Sequence, residues 1–88
     1  MSHLAKNLEV LRKNKGRTQQ EVASVVELPR STYTSYEIGL SEPNCNRLIQ
    51  LSDYFNVPVD VLLRIDLSKK VDSEISRIVE KYLTQQKA

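Results

Sequence analysis

The sequence predicts an all-α protein: a bundle of five short helices, followed by one further amphipathic helix at the C-terminal end. Apolar residues recur at steps of three and four in each segment, which is helical spacing, and the apolar–polar alternation typical of strands is absent. Glycine, proline and asparagine separate the segments. The 88 residues suffice for one small domain, and leucine, valine and isoleucine are ample for one core.

The first helix is predicted from about Ser2 to Asn14. Leu4, Leu8 and Leu11 recur at steps of four and three and so form one stripe facing the core. Gly16 ends the helix. Basic residues cluster near this end, where positive charge suits the helix dipole.

The second helix begins after Thr18. The Thr18 hydroxyl can accept a hydrogen bond from a backbone N–H near Glu21, and the Glu21 side chain can reach back, as in a capping box. The apolar face that follows comprises Val22, Ala23 and Val26. Pro29 then breaks the run, because proline disfavours the α conformation of the preceding residue and is best tolerated at a helix start.

The third helix is predicted from about Arg30 to Ile38, with Gly39 as a left-handed C-cap. Tyr33 and Tyr36 face inward. The outward residues are short or polar: Arg30, Ser31, Thr34 and Ser35. A helix with a buried back and hydrogen-bonding groups outside has the properties needed to enter a DNA groove.

Two shorter predictions follow along the chain. Asn44 can cap a fourth helix that Asn56 closes, and Pro58 begins a fifth helix that ends near Leu63. The fourth helix carries Leu48, Ile49, Leu51, Ser52 and Phe55, and the fifth turns Val59 and Leu62 inward. Cys45 falls at an apolar position of the fourth helix, so we interpret it as a small core residue and not as a redox sensor.

Residues 66–88 form a separate segment, in which Leu67 to Ala88 is predicted as one helix capped by Asp66 or Ser68. Its apolar stripe comprises Val71, Ile75, Ile78, Val79, Tyr82 and Leu83. An apolar stripe of this size must be buried, either against its own domain or against the same helix of a second copy. We favour the second copy, because the stripe contains the alternating steps of a coiled coil. A further alternative is that the natural chain continues past Ala88 into a second domain.

The net charge of +2 says little about partners, but the charge is unevenly distributed. Residues 1–17 hold five bases and one acid, whereas residues 37–66 hold five acids and two bases. This asymmetry can orient a domain on a polyanion, although scattered surface charge is an equally good interpretation. The single cysteine excludes an internal disulfide and a zinc-ligand cluster. No apolar run approaches membrane length and no secretory signal is recognisable, so we expect no membrane association and a cytoplasmic protein.

Five motifs in register resemble the phage-repressor-type helix-turn-helix domain, the Cro/C1 or xenobiotic-response-element class. They are LxxxLxxLR at Leu4–Arg12, TQQEVA at Thr18–Ala23, RSTYTSYEIG at Arg30–Gly39, EPN at Glu42–Asn44 and LIQLSDYFNVPVDVLL at Leu48–Leu63. The resemblance covers residues 4–63, about two thirds of the chain. It implies a repressor-like five-helix bundle over residues 1–65 that contains a helix-turn-helix and binds operator DNA, usually as a dimer.

The resemblance also implies roles for individual residues. The base-contacting positions are Arg30, Ser31 and Ser35, with Thr34 beside them. Gln19 matches a phosphate-contacting glutamine, and further phosphate candidates are Arg17, Lys15, Tyr33 and Asn44. Arg12 and Glu37 match a structural ion pair between the first helix and the end of the third. Two alternatives stay open: Arg30 binds only a phosphate, or Gln19 is an ordinary exposed helix residue.

Two residues depart from the family pattern. Glu27 stands in the turn between the second and third helices, where the family usually has glycine, so the same backbone requires a positive φ at Glu27. Pro29 stands where the family often has a small hydroxyl residue that caps the third helix. The cap hydrogen bond is then lost, although proline pre-sets the first turn.

The sequence therefore predicts a sequence-specific transcriptional regulator, a repressor, that binds double-stranded DNA as a homodimer with the third helix in the major groove. The alternative is a protein-interaction module, because antitoxins and bridging factors use the same domain with a partner protein as the main ligand. The sequence offers no catalytic triad, metal cluster, phosphate-cradling glycine loop or buried carboxylate pair, so we expect no enzymatic activity, metal or cofactor.

Overall fold

The computed structural model describes residues 2–86, and over these residues the chain is helical and contains no strand. The helices are α1 (Leu4–Lys15), α2 (Gln19–Val25), α3 (Arg30–Glu37), α4 (Cys45–Phe55), α5 (Val59–Arg64) and α6 (Asp72–Gln86), with a 3₁₀ turn at Leu67–Lys69 before α6. The predicted all-α class is confirmed.

The predicted helix ends form through local contacts. Gly16 adopts the left-handed conformation after α1, with φ of 73°, and its N–H donates to the Lys13 carbonyl at 3.0 Å. Thr18 and Glu21 make both hydrogen bonds of the capping box at the start of α2. Asn44 caps α4 by accepting from the Arg47 N–H at 2.9 Å. Each contact joins residues three or four apart, which explains why the sequence alone predicted them.

The turn between α2 and α3 keeps its backbone despite the missing glycine. Glu27 adopts φ of 57°, as predicted, and the Leu28 N–H donates to the Ala23 carbonyl at 2.9 Å. Pro29 precedes α3 without any side-chain cap hydrogen bond. The turn is therefore closed by the backbone, with a glutamate in a conformation that few residues other than glycine adopt.

The core lies where α1, α2, α3, α4 and α5 meet. Its fully or almost fully buried side chains are Leu4, Leu8, Leu11, Val22, Ala23, Val26, Tyr33, Tyr36, Leu51, Phe55, Val57, Leu62, Leu67 and Ile75. Tyr33 and Tyr36 are the two buried residues of α3, so this helix packs through its tyrosine face and leaves the opposite face outside.

The predicted core position of Cys45 in α4 is wrong. Cys45 is exposed, because the buried face of α4 begins only one turn later with Leu48, which is partly buried against the core. Ile49 is exposed on the same helix, since it lies about 100° around the helix axis from the inward residue Leu48.

The C-terminal helix starts later than predicted, at Asp72 and not at Leu67. The Asp66 carboxylate accepts from the Ser68 N–H at 3.1 Å and caps a short 3₁₀ turn, after which Lys70 is extended. The Val71 N–H then donates to the Glu74 carboxylate at 3.2 Å at the start of α6. The predicted end at Ala88 lies outside the described residues.

The apolar stripe of α6 is divided in its environment. Ile75 is only 1% exposed and Ile78 and Val79 pack against the core of the same chain. Val71 is 62% exposed and Leu83 is 41% exposed. The middle of the stripe thus packs within the chain, the arrangement that the sequence analysis did not favour, and its two ends remain open.

A buried asparagine, which the sequence analysis missed, joins α1 to the C-terminal segment. The Asn7 amide nitrogen donates to the Leu62 carbonyl at 2.8 Å and the Ile65 carbonyl at 2.6 Å. The Asn7 side-chain oxygen, Oδ1, accepts from the Leu67 N–H at 3.0 Å. Because Asn7 is fully buried, these bonds satisfy groups that water cannot reach, and they set the direction in which the chain leaves α5.

Candidate nucleic-acid interface

The outward face of α3 is the candidate interface. Residues on an α-helix are 100° apart, so Ser31, Ser35 and Ile38 fall within an arc of about 60° on the side opposite the two buried tyrosines. Arg30 and Ser31 are exposed in the first turn, and Thr34 and Ser35 are half-buried. Ser31, Thr34 and Ser35 therefore lie on the side away from the tyrosines, and Arg30 is exposed at the flank of that side in the first turn.

Arg30 is the one basic residue of α3. Within residues 2–86 no carboxylate lies within ion-pair distance of it, whereas Arg12 and Arg17 both face carboxylates. Its guanidinium thus extends from the start of α3 into solvent with its hydrogen-bond donors available for a ligand.

The hydroxyl groups of α3 differ in what they can still bind. The Ser35 hydroxyl donates to the Ser31 carbonyl at 2.9 Å within the helix. The Thr34 hydroxyl donates to the Gln19 side-chain oxygen at 3.0 Å. Both hydroxyl oxygens keep lone pairs, so in this arrangement they offer acceptors to a ligand and no proton.

Gln19 links α2 to α3 through both ends of its amide. Its nitrogen donates to a Glu37 carboxylate oxygen at 3.1 Å, and its oxygen accepts from Thr34. Because a carboxylate can only accept, these two bonds also fix the orientation of the amide. Gln19 therefore connects α2 to α3 within the protein, and one amide hydrogen remains that could be donated to a phosphate.

Arg12 and Glu37, predicted as a structural pair, form a bidentate ion pair. The Arg12 Nε and Nη2 atoms donate to the two carboxylate oxygens at 2.7 and 3.1 Å. The Arg12 Nη1 atom also donates to the Arg17 carbonyl at 3.0 Å. The pair therefore connects α1, the end of α3 and the residue before the Thr18 cap.

The ion pair sets the protonation of its members. Burial by itself would raise the pKa of Glu37. The hydrogen bonds from Arg12 and Gln19, together with the neighbouring Tyr33 hydroxyl, outweigh burial, and the pKa lies below its ordinary value of 4.5. The Glu37 hydrogen bond is likewise the largest cause that raises the pKa of Arg12. Both groups are therefore charged at neutral pH.

The predicted phosphate contact of Tyr33 is wrong. The residue is fully buried, and its hydroxyl lies beside Glu37 without a hydrogen bond of normal geometry to any described residue. Burial, followed by the neighbouring carboxylate, raises the pKa of Tyr33 well above its ordinary range. A DNA backbone cannot reach a side chain that is fully enclosed in the core, so Tyr33 supports the interface from behind.

The other predicted phosphate contacts lie at the surface. Lys15, the last residue of α1, and Arg17, just after the helix, are exposed, and the Lys15 ammonium lies 5.0 Å from the centre of the Tyr54 ring. Arg17 lies 3.7 Å from the Glu21 carboxylate. Asn44 is exposed and uses its side-chain oxygen to cap α4.

Two residues of this region were not predicted. The Arg47 guanidinium donates to the Val26 carbonyl at 2.8 Å, and so connects α4 to the turn before α3. Ile38 is 67% exposed on the outward face of α3. Spacing from Ser31 and Ser35 could have indicated Ile38, but no sequence pattern indicates the Arg47 contact, which joins residues 21 positions apart.

The described residues contain no helix that is both long and apolar enough to span a bilayer. Within the same residues, no group of three or more histidine, cysteine, aspartate or glutamate side chains is arranged to hold a metal ion.

Comparison with known proteins extends these observations. A family model described as helix-turn-helix matches residues 8–62. The HTH-type transcriptional regulator YqaE of Bacillus subtilis, itself described as uncharacterized, is 39% identical over 67 residues, which are 76% of this chain and 58% of YqaE. The HTH-type transcriptional regulator ImmR of Bacillus subtilis is 33% identical over 73 residues, which are 82% of this chain and 58% of ImmR.

A solved structure is similar over almost the whole chain. It is the crystal structure of a transcriptional regulator from Listeria innocua, with a TM-score of 0.68 and 27% sequence identity, and the match covers 98% of this chain and 92% of that one. By contrast, the chain spans a little over half the length of YqaE and ImmR.

Proposed function

The chain belongs to the Cro/C1-type helix-turn-helix family, a non-enzymatic class of transcriptional regulators, and from this membership we propose that it binds double-stranded DNA and regulates transcription. In this proposal α3 enters the major groove, a homodimer reads two half-sites about 34 Å apart, and binding represses the gene. Residues 1–65 supply the DNA-binding domain and residues 66–88 a packing or dimerisation segment. The protein acts in the cytoplasm.

The observation that carries the proposal is the two-sided character of α3. Tyr33 and Tyr36 are buried on one side, and Arg30 and Ser31 are exposed on the other. A recognition helix needs both properties, because its position must be set from behind while its front contacts base edges. The Arg12–Glu37 pair supports the same role, since it fixes the end of α3 against α1.

The proposed base contacts follow from the groups that each side chain offers. Arg30 contacts a guanine, because its guanidinium can donate two hydrogen bonds to O6 and N7. Ser31 and Ser35 are short enough to allow close approach, and Ser35 offers an acceptor to the amino group of adenine or cytosine. Thr34 is the weakest of these contacts, because its hydroxyl is engaged with Gln19.

The proposed phosphate contacts surround α3 and carry no sequence preference. Lys15 and Arg17 supply positive charge. Gln19 donates its remaining amide hydrogen, and Asn44 donates from its amide nitrogen while its oxygen caps α4.

Selection of bound sequences from random duplexes, by the purified chain, tests the proposal. Enrichment of one motif, repeated in opposite orientations about one helical turn apart, is expected. If the sequence composition of the duplex pool is unchanged after several rounds of selection, the proposed sequence-specific DNA binding is wrong. A reporter gene placed downstream of the selected motif then separates repression, the expected outcome, from activation.

A protein-interaction module is the second candidate, and the exposure of Val71 at 62% is the observation that favours it. In that case α6 docks on a partner protein. Sedimentation of the pure chain discriminates between the two. A dimer at micromolar concentration favours the homodimeric regulator, whereas a monomer with no enriched DNA motif favours the module.

A further inference from the structure

Ile38 is a large apolar side chain on the outward face of α3. It is 67% exposed and is not among the residues packed against the core. It follows the last residue of α3 with near-helical backbone angles, φ of −93° and ψ of 0°, so it continues the line of Ser31 and Ser35. Most of this isoleucine therefore lies outside the packed core, on the side on which the proposed DNA lies.

The groups around Ile38 make this end of the helix poor in hydrogen-bond donors. The Ser35 hydroxyl donates its proton to the Ser31 carbonyl, and the Thr34 hydroxyl donates to Gln19. The other end of α3 carries the Arg30 guanidinium with its donors available. The two ends of the face therefore suit different base-pair edges.

Only one group in the major groove is apolar, the 5-methyl group of thymine. An isoleucine side chain offers no hydrogen bond to any base edge and leaves the groups of guanine and cytosine unsatisfied when it covers them. Contact with a thymine methyl removes apolar surface of both groups from water.

We infer that Ile38 contacts the 5-methyl group of one thymine in each half-site and makes that position specific for thymine. The inference rests on the proposed function, since it requires α3 in the major groove. Ile38 lies eight positions after Arg30, about 12 Å along the helix axis. The thymine is therefore on a different base pair from the guanine that Arg30 contacts.

Leu40 provides the matched control. It is 76% exposed, close to the value of Ile38. It follows Gly39, whose φ of 76° ends the helix, so Leu40 does not continue the face of Ser31 and Ser35. Ile38 and Leu40 are thus similarly exposed, but only Ile38 lies on the outward face of α3.

The test uses the motif enriched from random duplexes, with each thymine replaced in turn by deoxyuridine. This change removes one methyl group and leaves base pairing intact. For the wild-type protein, one replacement per half-site is expected to weaken binding about fourfold, the effect of exposing one methyl-sized group. Ile38→Ala is expected to bind the thymine and deoxyuridine duplexes equally, and Leu40→Ala to discriminate between them as the wild type does.

The outcomes separate this inference from the proposed function. If no motif is enriched, the proposed function fails and the inference with it. If a motif is enriched but every deoxyuridine duplex binds the wild type as well as thymine does, the inference alone is overturned. It is also overturned if Ile38→Ala, with an unchanged thermal melting curve, still loses affinity on the same replacement. Since Ile38 is exposed, its truncation is expected to leave the melting curve unchanged.

Discussion

Glu27 shows at the scale of one residue what the turn before α3 requires. Its φ of 57° is accessible to glycine without strain and costs other residues free energy. We predict that Glu27→Gly increases the free energy of unfolding by about 1 kcal/mol, measured by urea denaturation at pH 7. Glu27→Ala is the control, because alanine has the same strain, and equal gains in the two variants would assign the effect to the lost charge.

Arg30 is the residue from which we expect sequence preference at one base pair. Arg30→Ala should weaken binding to the selected motif by about 1–3 kcal/mol and relax the preference at one position per half-site. Fluorescence anisotropy on the motif and its single-base variants measures both effects. Arg17→Ala is the control: Arg17 is a candidate phosphate contact, so its loss should weaken binding to all these duplexes equally. If Arg30→Ala also weakens binding to every duplex equally, Arg30 contacts a phosphate and not a base.

At the scale of elements, the Glu37 carboxylate holds α1, α2 and α3 together. Its pKa is lower in the folded chain than the ordinary value of 4.5. A carboxylate whose pKa is lowered by folding stabilises the folded state at any pH above its pKa in the unfolded chain. This stabilisation is lost as the pH falls through its pKa in the folded chain. We predict that Glu37→Gln reduces stability by about 3 kcal/mol at pH 7, because Arg12 keeps a buried charge without its partner.

This difference should shrink as the pH falls below 4.5, because the unfolded chain then takes up the proton first. It is lost once the pH has fallen through the lower pKa of the folded carboxylate. Urea denaturation of both proteins between pH 7 and pH 3 measures it. Glu9→Gln serves as the control, because Glu9 pairs only with exposed lysines. A gap between wild type and Glu37→Gln that does not change with pH would contradict the assignment.

Asn7 connects α1 to the segment between α5 and α6. Asn7→Leu keeps a similar volume but leaves the Leu67 N–H and the Leu62 carbonyl buried without these partners, and removes the bond to the part-buried Ile65 carbonyl. We predict a loss of more than about 2 kcal/mol in the free energy of unfolding. Hydrogen exchange should locate it, with the Leu67 amide losing protection before the amides of α2. Unchanged protection at Leu67 would show that the segment is held by its side chains alone.

At the scale of the whole molecule, Val71 and Leu83 leave the two ends of the C-terminal apolar stripe exposed to a partner. If a homodimer uses them, Val71→Asp together with Leu83→Asp should shift sedimentation toward the monomer and leave the chain folded, because both residues are exposed. Ile75→Asp is the contrasting variant and should unfold the chain, since it places a charge in the core. A wild-type dimer that survives the double substitution would place the interface elsewhere.

The sequence by itself determined the helices, most of their caps and the strained turn. The Leu4, Leu8 and Leu11 stripe, the Thr18 capping box and the positive φ of Glu27 all depend on neighbours within a few residues. Such contacts are encoded where they occur, so periodicity and turn chemistry suffice to predict them. The extra 3₁₀ turn before α6 was missed, although the Asp66 contact that caps it is local, because a helical stripe continued through it.

Only the tertiary structure decided which polar groups face a ligand. Tyr33, Gln19 and Thr34 all lie on helices that the sequence places correctly, yet one is enclosed and two are bonded to each other across 15 positions. Asn7 finds its partners 55 to 60 positions away. A side chain satisfied by a distant element looks the same in sequence as one that is available, because burial and partners are set by packing and not by spacing.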